Sequence, residues 1–230
     1  MKATLLPPSL SRLRAGELLV NEFFHSVQGE STHAGRPCFF IRLAACHLRC
    51  AWCDTEYAFF EGRVLTVDEC IGRAKEAACP LVEITGGEPL LQDSVYALMT
   101  GLCNQGHEVL LETSGAVGIE RVDPRVRRIV DWKCPGSGMV SRNEPSVIEN
   151  LRPGDELKLV LADRRDYEWA RRWLENNRSR IPQVVPVHFS PVFGALPPRD
   201  LSSWIVADRL PVRLSLQLHK SIWNPDARGV

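Results

Sequence analysis

The chain of 230 residues has no excess of either charge: lysine plus arginine number 28, and so do aspartate plus glutamate. The basic footprint of a nucleic-acid binder is therefore missing, and a small molecule is the expected partner. No stretch approaches the length of a membrane span, so no contact with a membrane is expected. The first 16 residues scatter Lys2, Arg12 and Arg14 around Leu5-Leu6-Pro7-Pro8 and contain no apolar leader segment. They read as a loose tail on a cytoplasmic protein, in which the eight cysteines are thiols and not a disulfide scaffold. Internal repeats are absent too, and residues 17–230 are expected to form one domain.

A missing ligand shapes the chemistry. Cys46, Cys50 and Cys53 fall in the run Cys46-His47-Leu48-Arg49-Cys50-Ala51-Trp52-Cys53, and no fourth cysteine follows at comparable spacing. A structural zinc site closes a tetrahedron with four ligands, usually as two separated pairs. Three thiolates on one loop instead suit three corners of a cubane iron–sulfur cluster, with one iron left open to an outside ligand. A zinc knuckle completed by His47 or the distant Cys134, or three unrelated core cysteines, are the alternatives. Cys38, Cys70, Cys79 and Cys103 read as small buried hydrophobes.

Apolar runs at strand length alternate with helical patterns. Strands are expected at Leu18–Phe24, Cys38–Leu43, Leu81–Thr85, Glu108–Glu112, Arg128–Trp132, Glu156–Leu161, Val184–His188 and Val212–Leu218. Thr66 and Glu69 form a capping box before Val67, Cys70, Ile71 and Ala74, which share one helix face. A second helix carries Val95, Leu98, Met99 and Leu102 ahead of Gly106, and a third runs from Asp166 to Asn176. The alternation predicts an α/β fold with a largely parallel sheet, as in a barrel or part-barrel. The C-terminal strand ends of such a fold converge on one mouth. Gly86-Gly87-Glu88-Pro89, Glu112-Thr113-Ser114-Gly115, Asp131, Lys133, His188, Ser190 and Gln217 are thereby expected around the cysteine loop.

These motifs resemble the radical S-adenosylmethionine (SAM) superfamily, whose cysteine spacing matches Cys46-x3-Cys50-Ala51-Trp52-Cys53 and whose methionine-binding turn matches Gly86-Gly87-Glu88-Pro89. Within it the chain is similar to the 7-carboxy-7-deazaguanine synthase family. The resemblance rests on Val27-Gln28-Gly29-Glu30, Pro37-Cys38-Phe39-Phe40-Ile41-Arg42, Cys53-Asp54-Thr55, Thr85 to Pro89, Glu112 to Gly115 and Gln217-Leu218-His219-Lys220. It implies a partial TIM-like parallel β/α barrel of the radical SAM type. It also implies a lyase that contracts 6-carboxy-5,6,7,8-tetrahydropterin to 7-carboxy-7-deazaguanine with loss of ammonia, on the route to queuosine and related deazapurines. The implied cofactors are a [4Fe-4S] cluster, SAM and Mg²⁺, and the implied partners are a reductant such as flavodoxin or ferredoxin and a second copy of the chain in a homodimer.

Residue roles follow from the same resemblance. Cys46, Cys50 and Cys53 would ligate the cluster. Trp52, Gly87, Thr113 or Ser114, Asp131, Trp132, Lys133 and Ser190 would bind SAM. Val27, Gln28, Gly29, Arg42 and Thr85 would bind the pterin, with Arg42 forming a forked pair to its carboxylate. Thr55 would offer a hydroxyl to Mg²⁺, which needs charged oxygens from the substrate besides. The segment Asp131-Trp132-Lys133-Cys134-Pro135-Gly136-Ser137 departs from the Ser-Pro-Lys of many relatives. The superfamily also contains glycyl-radical activases of similar size. They act on proteins, and Val27-Gln28-Gly29-Glu30 ahead of Arg42 argues against that reading. A zinc-binding adaptor without catalysis is the other alternative.

Overall fold

The computed structural model describes Leu6, Pro7 and residues 9–230. Of the expected tail, residues 1–5 and 8 thus lie outside the described residues, while Leu10–Arg12 form one 3₁₀ turn. Strands β1 (Glu17–Val27), β2 (Pro37–Leu43), β3 (Arg63–Thr66), β4 (Leu81–Gly86), β5 (Glu108–Thr113), β6 (Arg127–Asp131), β7 (Glu156–Leu161), β8 (Val187–Pro191) and β9 (Arg213–Leu214) make one sheet, in the order β3-β1-β2-β4-β5-β6-β7-β8-β9. From β2 to β9 every pairing is parallel, and β1 is antiparallel to both β2 and β3. The helices are α1 (Val67–Glu76), α2 (Val95–Asn104), α3 (Ser146–Glu149), α4 (Arg164–Asn177), α5 (Pro198–Ala207) and α6 (His219–Ile222). Among the described residues no helix is long and apolar enough to cross a membrane.

Period-two alternation sorts the strand residues between two cores. Ile41, Ile84, Leu111, Val130, Leu159 and Phe189 join Ala74, Leu98, Ala170, Leu174 and Leu201 in the large cluster between sheet and helices. The opposite face carries a smaller cluster of Cys38, Phe40, Leu81, Leu110 and Ile129. Above it the same face turns polar, with Glu83, Glu112 and Lys158. The sheet curls until its ends meet through the loops. Leu218 N–H donates to Gly29 O at 2.8 Å, joining the segment after β9 to the loop after β1. The result is an incomplete parallel barrel with a polar mouth.

Local chemistry explains where the elements agree with expectation and where they shift. Thr66 and Glu69 make the reciprocal capping box, and Asp163 caps α4 by accepting from Asp166 N–H. The strand expected at Val184–His188 begins only at Val187, because Pro186 has no N–H to give a ladder. The strand expected at Val212–Leu218 shrinks to Arg213–Leu214 at the sheet's edge, with Leu216 exposed. Helix α5 hides behind Pro197-Pro198, where a proline at its first turn is compatible with a helix.

Candidate active site

A cavity of about 960 Å³ opens at the C-terminal ends of the parallel strands. It is lined by Cys46, Cys50, Cys53, Trp52, Thr55, Gly87, Thr113, Asp131, Lys133 and Ser190, and by Val27, Gln28, Gly29, Arg42 and Thr85. Two expected residues are not there: His188 is buried against Glu156 instead of reaching the mouth, and Trp132 faces the other way. Trp132 is 6% exposed and packs on Trp173, ring centroids 5.1 Å apart, on the helix side of the sheet. Alternation along the chain sends Asp131 and Lys133 inward and Trp132 outward, which corrects its assignment to a SAM contact through the side chain.

The cysteine loop is fixed by its backbone neighbours. Ala45 turns through the left-handed region at φ 76°, and Cys46 follows directly. Ala45 O then accepts from Glu88 N–H at 2.9 Å, so the Gly-Gly-Glu-Pro turn is bonded to the loop. A Cβ on Gly87 would overlap the carbonyl of Ala45 and crowd Cys46. The close approach that requires glycine here is that of the two loops. On the other side Ala51 N–H donates to Ser137 O at 3.1 Å, and Arg49 lies over Phe59 while bonding Cys46 O at 2.8 Å. The departing segment 134–137 therefore serves as a shelf for the cysteine loop.

Do these groups fit the implied cofactors? The three cysteines are free thiols that share one small cluster with Leu48, Phe59 and Met139. Burial pushes all three thiols up, Cys46 to about 12, so they become thiolates only with a metal to neutralise them. Cys134, the candidate fourth zinc ligand, is 1% exposed in the helix-side core and does not line the cavity. Among the described residues no three His, Cys, Asp or Glu side chains close around a point as they would on one small ion. Three soft donors spread on a loop suit a cluster that sits between them. Beside Cys50, Asp131 holds Lys133 Nζ at 2.8 Å through one oxygen, while its Oδ1 is buried without a partner among the described residues. An orphaned acceptor at that position fits a hydroxyl or ammonium of SAM. Thr113 lines the cavity but is 2% exposed, and it donates to Glu88 at 2.9 Å. Glu88 also accepts from Ser114 and Leu90, so one buried carboxylate ties the ends of β4 and β5 together.

The cavity floor contains groups that motif reading quoted or passed over without a role. Lys158 Nζ sits between Glu30, at 2.7 Å, and Glu112. Glu112 also accepts from Thr85 at 3.2 Å; burial works against its charge, but Lys158 holds the carboxyl below its usual range. Gln28 donates to Glu83 at 2.7 Å and accepts from Glu30 N–H. Asp54 takes Lys220 at 2.9 Å and Gln217 at 3.1 Å, and residues 225–230 cover the opening. A Cβ at Gly29 would overlap the His219 ring, so that glycine lets the C-terminal segment close on the loop. Arg42 is not a free fork: its Nε donates to Glu22 at 2.7 Å and its guanidinium lies over Phe24 and Tyr57. Thr55 Oγ1 stands 3.7 Å from Cys53 Sγ. The sequence signal for Glu83 and Lys158 was available: each is a charge flanked by apolar residues within a strand.

Comparison with known proteins fits this geometry. Residues 40–131 match the Radical SAM superfamily model. The chain is 47% identical to the 7-carboxy-7-deazaguanine synthase of Chlorobaculum tepidum over 93% of its own length and 97% of the relative's. It is 42% identical to that of Koribacter versatilis, over 92% and 99%. The crystal structure of QueE from Escherichia coli superposes with a TM-score of 0.72 over 88% of this chain and 95% of that one; at 24% identity it speaks for the fold. Near-complete mutual coverage at such identity, together with the cysteine loop and the Gly-Gly-Glu-Pro turn on one cavity, means that this chain belongs to the 7-carboxy-7-deazaguanine synthase family of the radical SAM superfamily.

Proposed function

We propose that the chain converts 6-carboxy-5,6,7,8-tetrahydropterin to 7-carboxy-7-deazaguanine with release of ammonia. The observation that carries this reading is the continuity of one cavity, from the three cysteines at its rim to a floor of acids, amides and one lysine suited to a polar heterocycle. Bound at Cys46, Cys50 and Cys53, a [4Fe-4S] cluster with SAM would supply a carbon radical able to take hydrogen from the substrate.

The chain's own residues bind, orient and shield. Asp131 and Lys133 form a half-buried ion pair next to Cys50, set to hold the polar ends of SAM through the second Asp131 oxygen. Glu22 positions Arg42, whose terminal nitrogens are left to pair with the pterin carboxylate. Thr85, Gln28 and Gly29 present hydroxyl, amide and backbone groups to the ring. The segment 219–230, held by Lys220 to Asp54 and by Arg228 over Tyr57, keeps bulk water from a reactive intermediate. Thr55 would offer Mg²⁺ one neutral oxygen only, so the substrate would have to bring the charged ones. The reading places residues 17–230 in one catalytic domain, in a cytoplasmic homodimer, and calls for a one-electron donor of the flavodoxin or ferredoxin class.

The test is anaerobic reconstitution with iron and sulfide, then incubation with reductant, SAM, Mg²⁺ and the pterin, followed by mass spectrometry. Loss of ammonia from the pterin and a brown, cluster-loaded protein are expected. SAM cleavage with the pterin untouched would overturn the substrate assignment, and a colourless protein that binds zinc would overturn the chemistry.

A further inference from the structure

The floor of the cavity holds three carboxyl groups and one lysine. Lys158 is shared by Glu30 and Glu112, whose two negative charges outnumber its one. Glu83, on β4 between Leu81 and Thr85 of the inward face, is 2% exposed and has no cation at hydrogen-bond distance among the described residues. Its Oε2 accepts from the Gln28 amide at 2.7 Å. Its Oε1 has no hydrogen bond among the described residues, and Glu83 lines the cavity. The groups that face it are Glu112 from β5, Glu30 from the loop after β1, Lys158 from β7 and Cys38 from β2. Two of these are carboxylates and one is a buried thiol. A third negative charge there would be both desolvated and repelled.

We propose that Glu83 binds the substrate as an uncharged acid, donating a hydrogen bond from Oε1–H to an acceptor atom of the heterocycle while Gln28 occupies Oε2. This assignment rests on the pterin reading above and adds to it a specificity contact. An ionised carboxylate can only accept, whereas the acid is a donor in a floor otherwise rich in acceptors. Burial, and next the charge of Glu112, push the Glu83 carboxyl up to about 8, so the donor is present at neutral pH and lost above it. The ligand selected is a ring that presents a carbonyl or bare nitrogen to β4.

The experiment is calorimetric titration of the cluster-loaded, SAM-bound protein with 6-carboxy-5,6,7,8-tetrahydropterin, without reductant so that no turnover occurs, from pH 6.5 to 9.5. In the parent, affinity should be level at neutral pH and fall above about pH 8, approaching tenfold per pH unit. Glu83→Gln keeps a donor for the cavity and an acceptor for Gln28, so it should bind within about threefold of the parent at pH 7 and lose the alkaline fall. Glu83→Met fills the space without a donor and should bind about tenfold to a hundredfold more weakly than the parent at pH 7, with no alkaline fall of its own, so that the two converge toward pH 9.5, and with SAM affinity kept. Glu83→Met equal to the parent at pH 7, Glu83→Gln as weak as Glu83→Met, or an alkaline fall that survives in Glu83→Gln would each overturn the assignment. Should Glu83→Met fail to fold, the Glu83→Gln profile decides alone. A parent that binds SAM but no pterin at any pH would overturn the substrate reading itself, and this contact with it.

Discussion

Single side chains divide here into those that hold a cofactor and those that hold the holder. Cys50 is half-buried on a loop whose neighbours are bonded through backbone and through Arg49, so the loop's shape does not depend on its thiol. Cys50→Ala should therefore leave far-UV circular dichroism unchanged while iron content after anaerobic reconstitution falls to a small fraction of the parent's. Full iron retention would remove this cysteine from the ligand set. Arg42→Lys keeps a charge but loses the Glu22 bond through Nε and the flat contact with Phe24 and Tyr57. Pterin affinity should drop by about tenfold or more, the scale of one lost charge-assisted hydrogen bond, with SAM affinity nearly intact. Equal losses for both ligands would make Arg42 a structural residue. That the cysteines, Arg42 and Thr85 would line one cavity was legible because each sits in a motif at a strand end or on the loop beside it. For Glu83 and Lys158 the charge within a strand was visible but the role was not, because it says nothing of partners until β4, β5 and β7 are side by side. Trp132 was misread for a related reason: a motif position gives proximity along the chain, and the pleat decides the face.

At the scale of elements, the Gly-Gly-Glu-Pro turn does more than end a strand. Glu88 N–H bonds Ala45 O, and the Glu88 side chain gathers Thr113, Ser114 and Leu90, so the turn joins the cysteine loop to the ends of β4 and β5. A methyl group on Gly87 has to displace backbone, since the atom it meets is the Ala45 carbonyl. Gly87→Ala should lower stability by about 1–3 kcal/mol, the range for overpacking. It should also weaken SAM binding by more than it weakens pterin binding, because the displaced segment carries Cys46. Thermal melts and separate titrations of the two ligands test this; an unshifted melting temperature would mean that the loop gives way freely. Strand and helix existence was mostly readable from period and caps, as the capping box at Thr66 and Glu69 illustrates. Boundaries failed at Pro186, where a missing donor delays β8, and after Leu214, where an edge strand lacks a neighbour to extend it. Helix α5 was obscured by the two prolines that start it.

The whole barrel is open, and the loop after β1 lines its interior, pinned to β7 by two successive contacts. Glu30 reaches Lys158, and Thr32 reaches Glu156 through both its hydroxyl and its N–H, the latter at 2.9 Å. Glu156 and Lys158 are two residues apart on β7 and so point the same way, which gives the loop a matched pair of anchors. His188 of β8 brings Nε2 to 2.7 Å from Glu156. Burial raises the pKa of Glu156, yet the His188 ring and the Thr32 donors outweigh it and hold the carboxyl below its ordinary 4.5. A carboxyl whose pKa is depressed on folding stabilises the native state above its unfolded pKa, and that stability disappears as pH falls through the lower native value. The chain should thus lose stability below about pH 4.5, with the loop after β1 released from β7. Glu156→Gln still accepts from Thr32 but has no charge to lose, so it should be less stable than the parent at pH 7, by about 1–3 kcal/mol. The gap should narrow as pH falls toward 3.5. Because the same loop carries Gln28 and Gly29, the variant's pterin KM should rise at neutral pH while its KM for SAM holds. Melting curves at stepped pH and paired KM measurements decide it: parallel curves would show that Glu156 does not titrate with unfolding, and an unmoved pterin KM would show that the loop keeps its place without this anchor.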